Sequence, residues 1–147
     1  MHDIVHELTI AASLEDTYAA VSTGPGLASW WSTDVSLEPA DPSSPDSTPA
    51  EGDVLTAGFD DGAVVIRLRI DTLNDPEDEG PALAHLTCLD GPEEWPGTQL
   101  AFRIEPENGG TAVRFWHGGW EYEDGALPRC SFQWAMYLDA LRRSLES

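Results

Sequence analysis

Leu127-Pro128-Arg129-Cys130-Ser131-Phe132-Gln133-Trp134-Ala135-Met136-Tyr137-Leu138-Asp139-Ala140-Leu141-Arg142-Arg143-Ser144-Leu145 places Trp134, Leu138, Leu141 and Leu145 at intervals of four, three and four. That is one apolar stripe on a helix, and Pro128 suits a first helical turn. The spacing predicts a helix over residues 127–145, about 28 Å long at about 1.5 Å per residue.

The chain before it carries the opposite periodicity. Residues 63–73 set Val64, Ile66, Leu68 and Ile70 against Val65, Arg67, Arg69 and Asp71. Residues 82–89 group Ala84, Leu86 and Cys88, with His85 and Thr87 opposite. Residues 98–105 group Leu100, Phe102 and Ile104, and residues 111–118 group Val113, Phe115 and His117. Residues 54–59 read as a shorter strand, and residues 4–10 as a first one with Ile4, His6, Leu8 and Ile10 on one face. Asp60-Asp61-Gly62, the acidic segment 74–80 and Asn108-Gly109-Gly110 supply turns. Alternating strands joined by short turns predict an antiparallel sheet with one wet face. A strand of 11 residues spans about 36 Å, so the closing helix matches the sheet in reach and belongs across its apolar face, with space between them.

Between the first strand and the rest, Ser13 stands as an N-cap with Asp16 three residues on, an acidic variant of the capping box. Residues 14–21 read as a short helix with Leu14, Tyr18 and Val21 on one stripe. Gly24-Pro25-Gly26 reads as its breaker, and residues 27–31 as a second short helix ending in Trp30-Trp31. Residues 38–53, rich in Pro, Ser, Asp and Thr, read as a mobile surface loop rather than a linker. The whole is expected to form one domain over residues 1–147.

Composition narrows the function. The net charge is −20, with 27 acidic residues against seven basic ones, all Arg. Such a surface repels phosphates, so nucleic-acid binding is not expected. No apolar run approaches the roughly 20 residues of a membrane span, so no membrane insertion is expected. Met1-His2-Asp3-Ile4 has neither a basic n-region nor an apolar h-region, which makes the cytoplasm the expected location. A high-GC genome and a high-salt habitat both produce this charge bias, and composition does not separate them. Cys88 and Cys130 read as two buried thiols; the chain has no C-x-x-C to suggest zinc. No cofactor and no metal is expected, since His117 with Glu121 or Glu123 lacks tight ligand spacing.

A family resemblance emerges from several motifs together: Trp30-Trp31 closing the second helix; Asp90-Gly91-Pro92-Glu93-Glu94-Trp95-Pro96-Gly97-Thr98 before a strand; Gly110-Thr111, Val113, Phe115 and His117-Gly118-Gly119-Trp120 in the last strand and its exit; Cys130, Trp134 and Tyr137-Leu138 opening the final helix. In these the chain resembles the START-like (SRPBCC) superfamily, and more closely its activator of Hsp90 ATPase homologue-like branch. The resemblance covers nearly the whole chain apart from residues 39–53. It implies an α+β helix-grip fold: a curved antiparallel sheet around a long C-terminal helix, two short helices after the first strand, and an elongated hydrophobic cavity. Relatives bind lipids, sterols, hormones or polyketides, and some catalyse cyclisation or hydrolysis.

Three functional readings follow. The first is a binding module for a small hydrophobic or aromatic molecule, with Trp30, Trp31, His6, Phe102, Phe115, His117, Trp120 and Trp134 as candidate ligand contacts. The second is a cavity enzyme of the polyketide cyclase, dehydratase or hydrolase kind, with His117 as acid or base. The third is a non-catalytic interaction protein, a homodimer supported by an outward Trp116 or an Hsp90-type chaperone partner. Trp30 and Trp31 are expected to divide between core and cavity mouth, and Trp95 and Trp120 to stand near a pocket rim. Trp134 also fits the core stripe. If the first and last strands are neighbours, as the resemblance implies, His6 and His117 approach each other. Arg67, Arg69, Arg103 and Arg114 read as outward partners in cross-strand ion pairs, and Glu93-Glu94 as plain solvated charges.

Overall fold

A computed structural model describes residues 2–40, 49–74 and 81–146. The strands are β1 (His2–Ile10), β2 (Asp34–Glu38), β3 (Val54–Phe59), β4 (Val64–Asn74), β5 (Ala82–Asp90), β6 (Gln99–Glu107) and β7 (Gly110–Trp120). The helices are α1 (Leu14–Ser22), α2 (Gly24–Ala28) and the long α3 (Leu127–Glu146). The strands form one seven-stranded sheet in the order β1-β7-β6-β5-β4-β3-β2, and every neighbouring pair is antiparallel. This is the α+β helix-grip architecture expected from the sequence.

Alternation decides which side of the sheet is buried. Ile66, Leu68 and Ile70 of β4, Ala84, Leu86 and Cys88 of β5, Leu100, Phe102 and Ile104 of β6, and Val113 and Phe115 of β7 all lie in the core. The helix α3 covers that face with Cys130, Trp134, Leu138 and Leu141. Its course follows β1: the His6 Nε2–H donates to the Ser131 carbonyl at 3.1 Å, and the Ala11 N–H donates to Glu146 Oε2 at 2.9 Å. Leu141 is completely enclosed, so truncating it to Ala would cost about 2–5 kcal/mol.

Local chemistry explains the joints. Asn108 (φ 45°) and Gly109 (φ 82°) both adopt left-handed backbone between the paired residues Glu107 and Gly110. That is the two-residue turn whose twist matches a hairpin. Ser13 caps α1 by accepting from the Asp16 N–H at 3.0 Å.

Four sequence expectations need correction. Helix α1 does end just before Gly24-Pro25-Gly26, at Ser22, but that segment is itself the first turn of α2 rather than a gap between helices, and α2 runs over 24–28 rather than 27–31. Thr23 caps that helix, accepting from the Gly26 N–H at 2.9 Å, and Pro25 occupies its first turn, where a missing N–H costs nothing. Gly26 is there for space: a Cβ would come within 2.0 Å of the Ala19 carbonyl oxygen of α1. Residues 34–38, not singled out as a strand, form β2 with only Val35 and Leu37 turned inward. The core of the loop 38–53, residues 41–48, lies outside the described residues, but its ends are tied by buried Asp53. That carboxylate accepts from the N–H groups of Ala40 (2.8 Å) and Ala50 (2.9 Å). The turn 75–80 also lies outside the described residues. Finally, of the arginines expected in cross-strand pairs only Arg67 makes one among the described residues, to Glu38 of β2, while Arg69 and Arg103 pair along their own strands. Arg69–Asp71 and Arg103–Glu105 are same-strand pairs at 2.8 Å, and Arg67 reaches Glu38 at 3.0 Å.

Candidate functional site

Two aromatic residues follow α2 directly. Trp30 and Trp31 lie in the turn that follows the helix end at Ala28, the Trp31 N–H still donating to the Leu27 carbonyl at 2.8 Å, and both are turned inward at 7% exposure. Trp30 goes to the interior, where its Nε1–H donates to the Ala20 carbonyl at 2.8 Å and its ring meets Phe102 edge-on. Trp31 stacks on Trp134 of α3, with ring centroids 5.7 Å apart and planes 17° from parallel. This stack divides the space between helix and sheet. On the inner side, among Trp30, Leu68, Leu100 and Phe102, only about 10 Å³ remains. On the outer side a partly open cleft of about 400 Å³ lies between the β3–β4 end of the sheet and the first half of α3.

Trp31, Phe59, Trp95, Trp134 and Tyr137 give the cleft aromatic walls, and Val64, Ile66 and Pro92 extend them. Polar groups enter from two sides: Asp60 from the β3–β4 turn, and Arg129, Cys130 and Gln133 from α3. The helical spacing of Arg129, Gln133 and Tyr137 lines them along one side of α3.

Behind the cleft a hydrogen-bonded chain fixes two of its walls. The Trp134 Nε1–H donates to His117 Nδ1 at 3.0 Å. An indole nitrogen only donates, so the histidine proton resides on Nε2, which donates to Thr98 Oγ1 at 2.8 Å. The Thr98 hydroxyl in turn donates to the Trp95 carbonyl at 2.6 Å. His117 is fully enclosed, with Trp95 and Trp120 rings at 4.7 and 4.6 Å. Burial pushes its pKa down to about 3, so the imidazole is neutral at pH 7. Its position therefore holds Trp134 and Trp95, and both its nitrogens are engaged.

The candidate contacts thus separate. Trp31 and Trp134 meet at the cleft. Trp30 and Phe102 border the small interior void. Phe115 packs under Trp134 at 4.4 Å, and Trp120 is enclosed, its Nε1–H bonded to the His117 carbonyl at 3.0 Å. His6 and His117 lie on neighbouring strands, with Ile4 opposite His117 and His6 opposite Phe115. Each histidine bonds elsewhere, His6 to Ser131 at the β1–α3 seam. Trp116 points outward but is half-covered, stacking on His85 at 6.3 Å.

Phe59, Tyr137, Gln133 and Arg129 were not anticipated. The helical spacing of the last three was a usable signal, whereas the approach of the β3 end to α3 is tertiary. Glu93-Glu94 also needs correction, because Glu94 is half-buried. Its Oε2 accepts the Ala126 N–H at 2.8 Å, which caps the start of α3, while Oε1 is buried with no hydrogen-bond partner among the described residues. Cys88 and Cys130 are free, buried thiols. Burial pushes Cys88 up to about 11 and Cys130 upward as well, against the hydrogen bond from Trp95.

Fold and cleft together define a helix-grip protein with an aromatic, half-open pocket. Among solved structures, the Aha1 dimer of Colwellia psychrerythraea is 26% identical, with a TM-score of 0.80 over 99% of this chain and 97% of that one. Protein MLL2253 of Mesorhizobium loti is 16% identical, with a TM-score of 0.74 over 98% and 96%. DynU16, from the dynemicin biosynthetic locus, is 16% identical, with a TM-score of 0.72 over 99% of this chain and 47% of that one. No family model and no curated protein matches the sequence.

Proposed function

We propose that this chain is a START-like protein of the activator of Hsp90 ATPase homologue-like branch, a single such domain over residues 1–147, that binds a small hydrophobic or aromatic molecule. The observation that carries the reading is the cleft of about 400 Å³ walled by Trp31, Trp95, Trp134, Phe59 and Tyr137. Its volume falls in the range of small-molecule sites, and apolar walls with a few placed polar groups are their usual make-up. The ligand lies in the outer cleft, since the Trp31–Trp134 stack fills the passage to the interior. Binding rather than catalysis is favoured because His117, the candidate acid or base, is enclosed behind the walls with both nitrogens bonded. The test is titration with a neutral two-ring aromatic, 2-naphthamide, followed by tryptophan fluorescence and native mass spectrometry. Quenching with one molecule bound per chain is expected, and Trp31→Ala should weaken it. An unchanged emission and a clean apo mass would refute the reading.

A second reading, homodimerisation, is favoured by the outer side of α3. Phe132 and Met136 are 69% and 59% exposed one turn apart, an arrangement that suits a partner surface. The similar protein of Colwellia psychrerythraea is a dimer. Light scattering after chromatography should give twice the chain mass, and Phe132→Ser with Met136→Ser should return it to one. A wild-type monomer throughout would end this reading.

A further inference from the structure

We propose that the cleft selects an organic acid, its carbon body between the aromatic walls and its carboxylate on Arg129. This rests on the cleft-binding reading above and names its ligand class.

The first observation is the distribution of positive charge. The chain has 27 acidic residues and seven arginines. Arg67, Arg69, Arg103, Arg142 and Arg143 all sit in ion pairs. Among the described residues Arg114 and Arg129 form none, and of these two only Arg129 lines the cleft. In so acidic a chain, a cation beside an aromatic pocket with no ion pair among the described residues can serve as an anion receptor.

The second observation is where Arg129 stands. It is the third residue of α3, at the end of the helix whose unpaired N–H groups already carry positive partial charge. Helix stability opposes a cation there and favours an anion. Glu94 meets part of that demand by binding the Ala126 N–H. It does so beneath the surface, not in an ion pair with Arg129. The guanidinium fork matches a carboxylate with two parallel hydrogen bonds. One guanidinium, opposed across the cleft by Asp60, also suits a singly charged ligand better than a phosphate ester.

Other charges bear on the same opening. Asp60 lines the cleft from the β3–β4 turn and acts against an incoming anion. The overall charge of −20 also repels anions at long range, but screening confines that to within about 8 Å at physiological salt. Selection is therefore a contact effect, with Arg129 and Asp60 acting in opposite senses.

The experiment compares 2-naphthoate with its neutral amide, 2-naphthamide, by calorimetric titration of the full chain. The acid is expected to bind about five- to tenfold more tightly than the amide, as for a partly exposed charge-assisted pair. Arg129→Gln should erase that preference by weakening the acid more than the amide, with an unchanged urea midpoint showing that the variant folds. Asp60→Asn, a residue type that tolerates the left-handed backbone at this position (φ 52°), should strengthen acid binding about two- to threefold. Equal affinities for the two probes, or a preference that survives Arg129→Gln, would overturn the proposal and leave the cleft reading standing. Failure of both probes to bind would overturn both.

Discussion

Acidification should destabilise this protein most strongly through His117. In the unfolded chain a histidine titrates near 6.5; in the folded chain burial holds this one at about 3. Between those values the unfolded chain binds the proton and the folded chain does not. Stability from this group is complete above the unfolded value and is lost as pH falls toward the folded one. The linkage relation gives a loss of about 2 kcal/mol between pH 7 and pH 5. Asp71, whose carboxyl is held below its ordinary value by its bonds to Thr87 and Arg69 despite burial, acts in the same direction at lower pH, and the chain's other charge is shared by any variant that changes His117 alone. The comparison that isolates His117 is therefore wild type against His117→Gln, whose amide can accept from Trp134 and donate to Thr98. The stability gap between them, from urea unfolding followed by tryptophan fluorescence, should narrow by about 2 kcal/mol from pH 7 to pH 5. A gap that stays constant within about 0.5 kcal/mol would show that His117 does not stay neutral in the folded protein, and the tautomer argument would fall with it.

Further outcomes follow from the same geometry. Trp134→Phe removes the donor to His117 Nδ1 while keeping much of the ring packing, so urea unfolding should show a loss of about 1–3 kcal/mol for the orphaned nitrogen. Glu94→Ala uncaps α3 and should lower stability by about 1 kcal/mol, read as a shift in thermal midpoint that Glu94→Gln largely restores. Cys88 and Cys130, buried and with raised pKa values, should resist a thiol-specific disulfide reagent at pH 8 and release two equivalents at once in denaturant. Rapid labelling of the native chain would refute their burial.

Local pattern was enough for the architecture. The period of two in residues 63–73 and 98–105, and the stripe Trp134, Leu138 and Leu141, each require only neighbours along the chain, and the structure buries those residues. Ser13 declared its cap by the same local chemistry. Where the sequence reading failed, the deciding partner came from elsewhere. Gly26 looked like a breaker because its use, letting α2 approach Ala19, appears only once α1 is in place. Glu94 looked solvated because the Ala126 N–H it serves lies 32 positions away. His117 was legible as an inward residue, but not as one whose two nitrogens serve Trp134 and Thr98. Its side of the strand follows from alternation, whereas its partners follow from how α3 crosses the sheet. The cleft is the strongest case. Trp31 and Trp134 were both recognisable as aromatic candidates from the sequence. That they stack, close the interior and leave space on one side depends on long-range packing, which periodicity does not encode.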